Sequence, residues 1–575
     1  MNEVTRRPEV TVRALVSGAV IGAVLAACNV YAAMKVGIID GGSITAALLA
    51  FGIFGVFRHS ARRPYGALEN NITQTAAASA AVMCLVTGAV GPIPALAMLG
   101  THLSAVALIP FGIAVGVLGV FVATLLRRRL VVEEGLPFPT GIATGEVIET
   151  IFSARHIAVR RLLLLAAAAA VAGVVTWFRD GRPAIVPQGF MIGGTLAGVA
   201  AATLGFGVSC SPLMLATGAM VGVRGTVGML IGAAIGRLVC APRLLRAGIV
   251  AAVDTGSLSP WLVWPSIGLL LSGSVLPLLL DRGAMARALR QLAFIGRSSA
   301  ATLPAPGDGL APRTWGVLVV AGVVSILVIG WLVFGISPLV MLLGLVLALL
   351  LANVAARATG ETDFSPGGPF GTISVMATSS RGIVTGLMAG SLSMGMTSQT
   401  SQTLWAFRAG QHVGASPRAQ VGAQLLGVVV GAVVTIPVYA VIAASYGLGN
   451  DKMPAISALT WKATADAMRG LSTLPQWSGT AGIAALAIGA GLTLLGRGRI
   501  GRVLPSAASI GVGVILPFSL TLTAFTGALL ALGAKRLLHD RGLDHASVLA
   551  LAAGAMAGES IVGVIIAALL TFGVL

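Results

Sequence analysis

The chain has 575 residues, of which 56% are hydrophobic and only 10% charged, and its mean hydropathy is +0.96. Soluble globules carry about 25% charged residues, so that class is excluded and the composition specifies an all-α polytopic integral membrane protein. The net charge of +18 does not require nucleic acid, because most arginines fall in short loops between apolar runs, where they anchor and orient helices.

The 76 glycines are nearly twice the usual share and fit small-residue packing between membrane helices. Cys28, Cys84, Cys210 and Cys240 lie in or beside apolar runs and read as small packing residues. The six histidines are dispersed and make no metal-ligand spacing, so neither a metal site nor any other cofactor is expected. The first residues, MNEVTRRPEV, are too polar and the run after them too long for a cleaved signal peptide.

In chain order, a first span covers about Val12 to Met34 and ends in NVYAAMKVGI; a second covers about Ile44 to Phe57. A third opens with ENNITQTAAASAA at Glu69, and a fourth ends at Arg127. The stretch from Leu136 to Phe152, LPFPTGIATGEVIETIF, holds two prolines and two glutamates, with arginines before it (127–129) and after it (155, 160, 161). It is short of the roughly 20 apolar residues of a spanning helix. Non-helical backbone at membrane depth survives only where protein buries it or where it lines a polar cavity, so this stretch reads as a re-entrant wall of a substrate path entered from the cytoplasm. Helices follow near 161–178 and 189–208, then a Pro-broken element at SCSPLMLATGAM from Ser209, and helices near 225–240 and 262–280.

Residues 281–313 form the one sizeable polar linker, expected in the cytoplasm, between an N-terminal transmembrane half, 1–280, and a C-terminal one, 314–575. The second half has helices near 314–335, 337–357, 383–403, 419–446, 479–495, 506–533 and 546–573, which brings the total to about sixteen segments. The halves echo one another: NVYAAMKVGI in NVAARATGETD from Asn353, GLPFPTGIATGEVIETI in MPAISALTWKATADAM from Met453, and SPLMLATGAMVG in LPFSLTLTAFTG from Leu516. Three echoes in one order indicate an internal repeat. Cytoplasmic Arg408, Arg418, Arg497 and Arg499 place the second re-entrant element on the outer side and make the repeat inverted, against which Lys452, Lys462 and Arg469 weigh.

With these pieces laid out, the chain resembles the oligopeptide transporter family, including its yellow-stripe-like branch, and is most similar to prokaryotic members. NVYAAMKVG, ENNITQTAAASA, LPFPTGIATGEVI, ARATGETDFSPGG, LMAGSLSMGMTSQTSQTLW, GASPRAQVGAQLLG and GVILPFSLTLTAFTGALL carry the resemblance over Asn29 to Leu530, in the family's order. It implies about sixteen helices and proton-driven uptake, across the plasma membrane, of small peptides or peptide-like metal chelates. One departure stands out: prokaryotic relatives commonly carry an acidic residue shortly after the Gln-Thr pair, where this chain has only AAASAAVM, Ala76 to Met83.

Carboxylates at membrane depth persist only with a partner or a role. Glu146 and Glu149, three apart on one helical face with Thr140, are candidates for proton coupling, as are Asp466 and Glu559, because burial would move such a group toward neutrality. Asn29, Tyr31, Lys35, Glu69, Asn70, Asn71, Gln74, Thr140, Thr144, Gln399 and Gln402 are candidates for substrate binding: amides donate and accept as a peptide backbone requires, and Lys35 suits a carboxylate. The alternative for the amides is helix-to-helix glue, and for Lys35 snorkelling to the interface. Lys462, four residues before Asp466, is a candidate gating cation. Nothing resembles a nucleotide-binding P-loop, HExxH or GxSxG, so no enzyme is expected; a passive channel, an intramembrane enzyme and a lipid flippase are the competing readings. The expected partners are the substrate, protons and the bilayer of a bacterial inner membrane, with a homodimer compatible with the sequence.

Overall fold

A computed structural model describes residues 9–56, 64–196, 198–280, 310–363, 365–469, 475–497, 504–537 and 545–575. The expected linker, 281–313, lies almost wholly outside the described residues. The helices are α1 (Val12–Val36), α2 (Ser43–Val56), α3 (Ala67–Ala81), α4 (Ala105–Arg127), α5 (Pro139–Ser153), α6 (Arg155–Asp180), α7 (Pro212–Ala233), α8 (Thr255–Leu280) and α9 (Pro312–Leu332). They continue with α10 (Pro338–Thr362), α11 (Gly367–Thr378), α12 (Ile383–Val413), α13 (Pro417–Tyr446), α14 (Ile456–Arg469), α15 (Ser478–Leu495), α16 (Ala507–Ile515), α17 (Phe518–Leu537) and α18 (His545–Thr571). Among the described residues ten helices are long and apolar enough to cross a membrane, which makes the chain a multi-pass membrane protein. The larger expected count of about sixteen includes pieces too short to cross.

The sequence pattern overstates helix at one place. Residues 189–208 form two small antiparallel hairpins: β1 (Gly189–Met191) pairs with β4 (Gly207–Ser209), and β2 (Thr195–Leu196) with β3 (Val199–Ala200). Gly194, Gly198 and Gly205 have φ of 107°, 79° and 72°, conformations that end a helix and make turns. The polypeptide then re-enters a helix at Ser211, whose hydroxyl accepts from the Met214 amide at 3.3 Å, with Pro212 in the first turn. The expected single segment at 506–533 is likewise broken, at Leu516–Pro517, into α16 and α17.

Glycine decides how closely the helices cross. A Cβ on Gly218 of α7 would collide with the Ala524 carbonyl of α17, and one on Gly527 of α17 with the Leu215 carbonyl of α7. Gly554 and Gly558 bring α18 onto the Leu165 and Ala169 carbonyls of α6 in the same manner. Apolar side chains gain little by leaving lipid, so such backbone contact is what holds membrane helices together.

The two Pro-broken echoes share a construction. Phe138 (φ 42°) precedes α5 and its amide donates to the Gly360 carbonyl, near the end of α10, at 3.0 Å. Ala455 (φ 48°) precedes α14 and donates to the Met34 carbonyl, near the end of α1, at 2.8 Å. The helices α1 and α10 both end on a left-handed residue, Gly37 or Asp363. With 15 and 14 residues, α5 and α14 are about 20 Å long, too short to cross. They lie at opposite ends of α1. Its C-terminus holds α14, while at its N-terminal side Glu9 accepts from the Ser416 amide at 2.9 Å, beside the end of α12 on which α5 packs through Gly145 and His412.

Gly558→Val should separate α6 from α18, at a cost of about 1–3 kcal/mol as in other overpacked sites, and so lower the thermal midpoint in detergent by several degrees. A midpoint equal to the parent's would show that the two backbones do not touch at this glycine.

Candidate functional site

The site grows from helix ends that the fold brings to one depth. Lys35 lies in the last turn of α1, Arg179 and Asp180 end α6, and Ser211 begins α7. Facing them is Glu559, midway along α18 and fully buried. Its Oε1 accepts from Lys35 Nζ at 2.9 Å and from Arg179 Nη2 at 3.0 Å. Its Oε2 accepts from the Leu213 amide at 2.8 Å and the Ser211 hydroxyl at 3.0 Å. The carboxylate therefore caps the N-terminus of α7, where the helix dipole favours negative charge. Four donors on two oxygens suit its ionised form.

Arg179 also donates through Nε to Asp180 Oδ1 at 3.0 Å and through Nη1 to the Cys210 carbonyl at 2.8 Å, and Gln188 holds Asp180 at 2.8 Å. Lys35 Nζ donates to the Tyr31 hydroxyl at 2.9 Å, and Tyr31 meets Tyr446 edge to face. Two cations and two carboxylates are thus linked, with Glu559 and Arg179 fully buried, so that breaking a link to either leaves a buried charge unmatched.

Lys35, Arg179 and Asp180 of this quartet border a cavity of about 550 Å³, whose wall also includes Tyr31, Gln188, Tyr446, Arg237, Asp254, Asp451 and Lys452. Arg237 is anchored by donating to the Val253 carbonyl at 3.0 Å. Donors of Ser257 hold the Asp254 carboxyl below the usual carboxylate range. The size suits a small organic molecule, and the wall offers fixed charge of both signs, four basic and three acidic side chains.

Of the residues singled out in the sequence, the structure brings Tyr31, Lys35 and Glu559 together here. The others lie elsewhere. Asn29 donates to the carbonyls of Asp40 and Ala81, pinning the loop after α1 against α3. Glu69 accepts from Arg13 and Thr11 and ties the start of α3 to that of α1. Asn70, Asn71, Gln74, Gln399 and Gln402 are all buried in a polar seam of α3 and α12 that also takes in Gln420 and Gln424 of α13; in it Gln402 donates to the Ser43 hydroxyl at 3.3 Å. Thr140 starts α5 and donates through its amide (3.0 Å) and hydroxyl (2.7 Å) to Asp363, and the Thr144 hydroxyl turns back to the Thr140 carbonyl. Lys462 and Asp466 pair with each other at 2.8 Å beside a separate cavity under α8.

Glu146 and Glu149 do not have the buried setting expected of them. Both are exposed, and Glu149 faces His412 at 3.2 Å. The reason is the glycine pair Gly141 and Gly145, which turns that side of α5 onto Trp405, Arg408 and His412 of α12 and leaves the glutamates on its exposed side, Glu149 at the edge of the contact. Sequence reasoning missed Arg179, Asp180, Ser211, Arg237, Asp254, Asp451 and Tyr446. The available signal was an Arg-Asp pair at the end of an apolar run opposite the arginines at 155, 160 and 161, which already suffice for orientation.

Comparison with known proteins follows the same line. The family described as OPT oligopeptide transporter protein matches residues 9–570. A Haemophilus influenzae protein named "Putative oligopeptide transporter" is 26% identical over 93% of this chain and 92% of its own length. A Saccharomyces cerevisiae protein carrying the same description is 29% identical over 25% of this chain and 22% of its own. A match that runs through both broken elements, the charged quartet and the amide seam makes this chain a member of the oligopeptide transporter family, and so a membrane transporter rather than an enzyme.

Proposed function

We propose that the protein is a secondary active importer of small peptides or peptide-like metal chelates across the cell membrane, and that it is proton-coupled. The observation that carries this reading is Glu559, fully buried, holding a helix N-terminus and two cations that themselves line a cavity carrying charge of both signs. A short peptide is a zwitterion. Its carboxylate fits Lys35 or Arg237, its amine fits Asp180 or Asp254, and the aromatic and apolar remainder of the wall takes side chains.

The same geometry supplies a coupling step. While Lys35 and Arg179 are engaged, Glu559 has no need of a proton. A substrate carboxylate that draws Lys35 toward the cavity leaves Glu559 buried with fewer donors, and a proton then replaces the lost cation. Release of the substrate reverses the exchange, so substrate and proton travel together. The opposite placement of α5 and α14 supports an inverted duplication of the two halves, with the site fixed between them and gated alternately. In this reading Lys462 and Asp466 belong to the outer gate, and Thr140, Thr144, Glu146 and Glu149 to the inner.

In proteoliposomes, labelled di- and tripeptides should accumulate under an inward proton gradient and leak back on addition of an uncoupler. Glu559→Gln should cut accumulation by about tenfold or more, at least 1.4 kcal/mol, whereas Glu146→Gln and Glu149→Gln should not. Loss with Glu146→Gln and none with Glu559→Gln would move coupling to α5.

The quartet also predicts a stability pattern. Lys35→Met should cost about 3–5 kcal/mol by leaving negative charge uncompensated, and adding Glu559→Gln should recover much of it, because Arg179 and Asp180 then balance. A double variant less stable than the single, by thermal melting, would contradict the charge argument.

A further inference from the structure

Below the cavity, toward the α5 face, five side-chain amides are fully buried: Asn70, Asn71 and Gln74 on α3, Gln399 on α12 and Gln424 on α13. Each makes a bond through one atom. Asn70 donates to the Ala47 carbonyl at 3.0 Å, Gln74 to the Thr75 hydroxyl at 3.0 Å, and Asn71 accepts from Gln420 at 3.1 Å. Gln399 donates to the Ser79 hydroxyl at 3.0 Å and to Gln424 Oε1 at 3.1 Å. Each also has an atom with no hydrogen-bond partner: Asn70 Oδ1, Asn71 Nδ2, Gln74 Oε1, Gln399 Oε1 and Gln424 Nε2. Turning over Gln399 and Gln424 together restores the bond between them with roles exchanged and leaves an orphan on each, so the deficit belongs to the arrangement.

Buried polar groups are nearly always satisfied, and amides that only glue helices would be expected to use both ends. Orphans concentrated on three facing helices point to surfaces that meet polar partners in another state. We infer that this seam is the closed inner part of the transport path, and that when α3, α12 and α13 part, its amides take up the backbone N–H and C=O groups of a peptide-like substrate passing from the cavity. Carboxamides suit that task, because each offers a donor and an acceptor and no charge to trap the cargo. The seam is placed for it. Gln399 and Gln402 sit on α12 between Gly390, which meets Trp461 of α14, and the turns, Trp405 to His412, on which α5 rests. The inference rests on the transport reading above and extends it from the cavity to the exit.

The test is accessibility. In a variant with Cys28, Cys84, Cys210 and Cys240 replaced by alanine, Gln74→Cys, Gln399→Cys and Gln424→Cys are each exposed to a membrane-impermeant sulfonated maleimide, in intact cells and in inverted vesicles. Leu404→Cys, buried on α12 in an apolar setting, is the reference. The seam cysteines should label from the cytoplasmic face at least about tenfold faster than the reference, about 1.4 kcal/mol in the opening equilibrium, with or without a di- and tripeptide mixture. Three independent positions keep one poorly folding variant from deciding the result. Labelling no faster than the reference from both faces, or from the outer face alone, overturns the inference even where peptides are taken up. Cytoplasmic labelling in a protein that takes up no peptide upholds the path and removes the peptide reading instead.

Discussion

A carboxylate with no water around it cannot stand alone, and much of this molecule is arranged around that constraint. Glu559 is reached by Lys35 from α1, by Arg179 from α6 and by the first turn of α7, so four helices distant in sequence meet on two oxygens. A charge at the centre of a bilayer costs about 2.5–3.5 kcal/mol even by the mildest scale, which is tolerable only with such compensation. The compensation also makes the site responsive. A ligand that competes for one cation changes the balance of the remaining charges, so recognition at the cavity wall and the protonation state of a buried acid share their donors.

The break before α7 is what makes the arrangement possible. Had residues 189–208 continued as a helix, the chain would have presented no helix N-terminus at the depth of Glu559. The hairpins built on Gly194, Gly198 and Gly205 end instead at Ser211, and the exposed amides of the new helix face the carboxylate. The break at Leu516–Pro517 borders the same cavity, through Pro517, Ser519 and Leu520. Two interrupted helices distant in sequence thus put irregular backbone beside a polar space.

Much of this was legible in the chain, for identifiable reasons. Apolar runs gave the long helices, and Pro137, Pro139 and Pro212 marked interruptions, because proline cannot donate within a helix. The echoes at Asn29 and Asn353, and at Leu136 and Met453, reappear as matching contacts, Ala455 on Met34 and Phe138 on Gly360. Pairing across 524 residues, as between Lys35 and Glu559, leaves no local trace, so both were singled out without being joined. For Glu146 and Glu149 the helical spacing was read correctly, but the facing side was decided by Gly141 and Gly145, whose missing side chains admit α12.

Ala76 and Ala80 lie where α3 is wedged between Gly18 and Gly22 of α1 and Gly427 and Gly431 of α13, with backbone in direct contact on both sides. A carboxylate there would find neither room nor a partner, and the wedge would open. In this chain the buried acid stands on α18, where Lys35 and Arg179 can reach it, and α3 carries neutral amides. Each unsatisfied buried group costs about 1–3 kcal/mol, so five approach the net stability of an ordinary domain, 5–15 kcal/mol. A closed state carrying that burden is one that polar cargo entering the seam would help to open. In the proposed transport path, charge is thus concentrated where substrate would be selected, and neutral polarity where it would be let go.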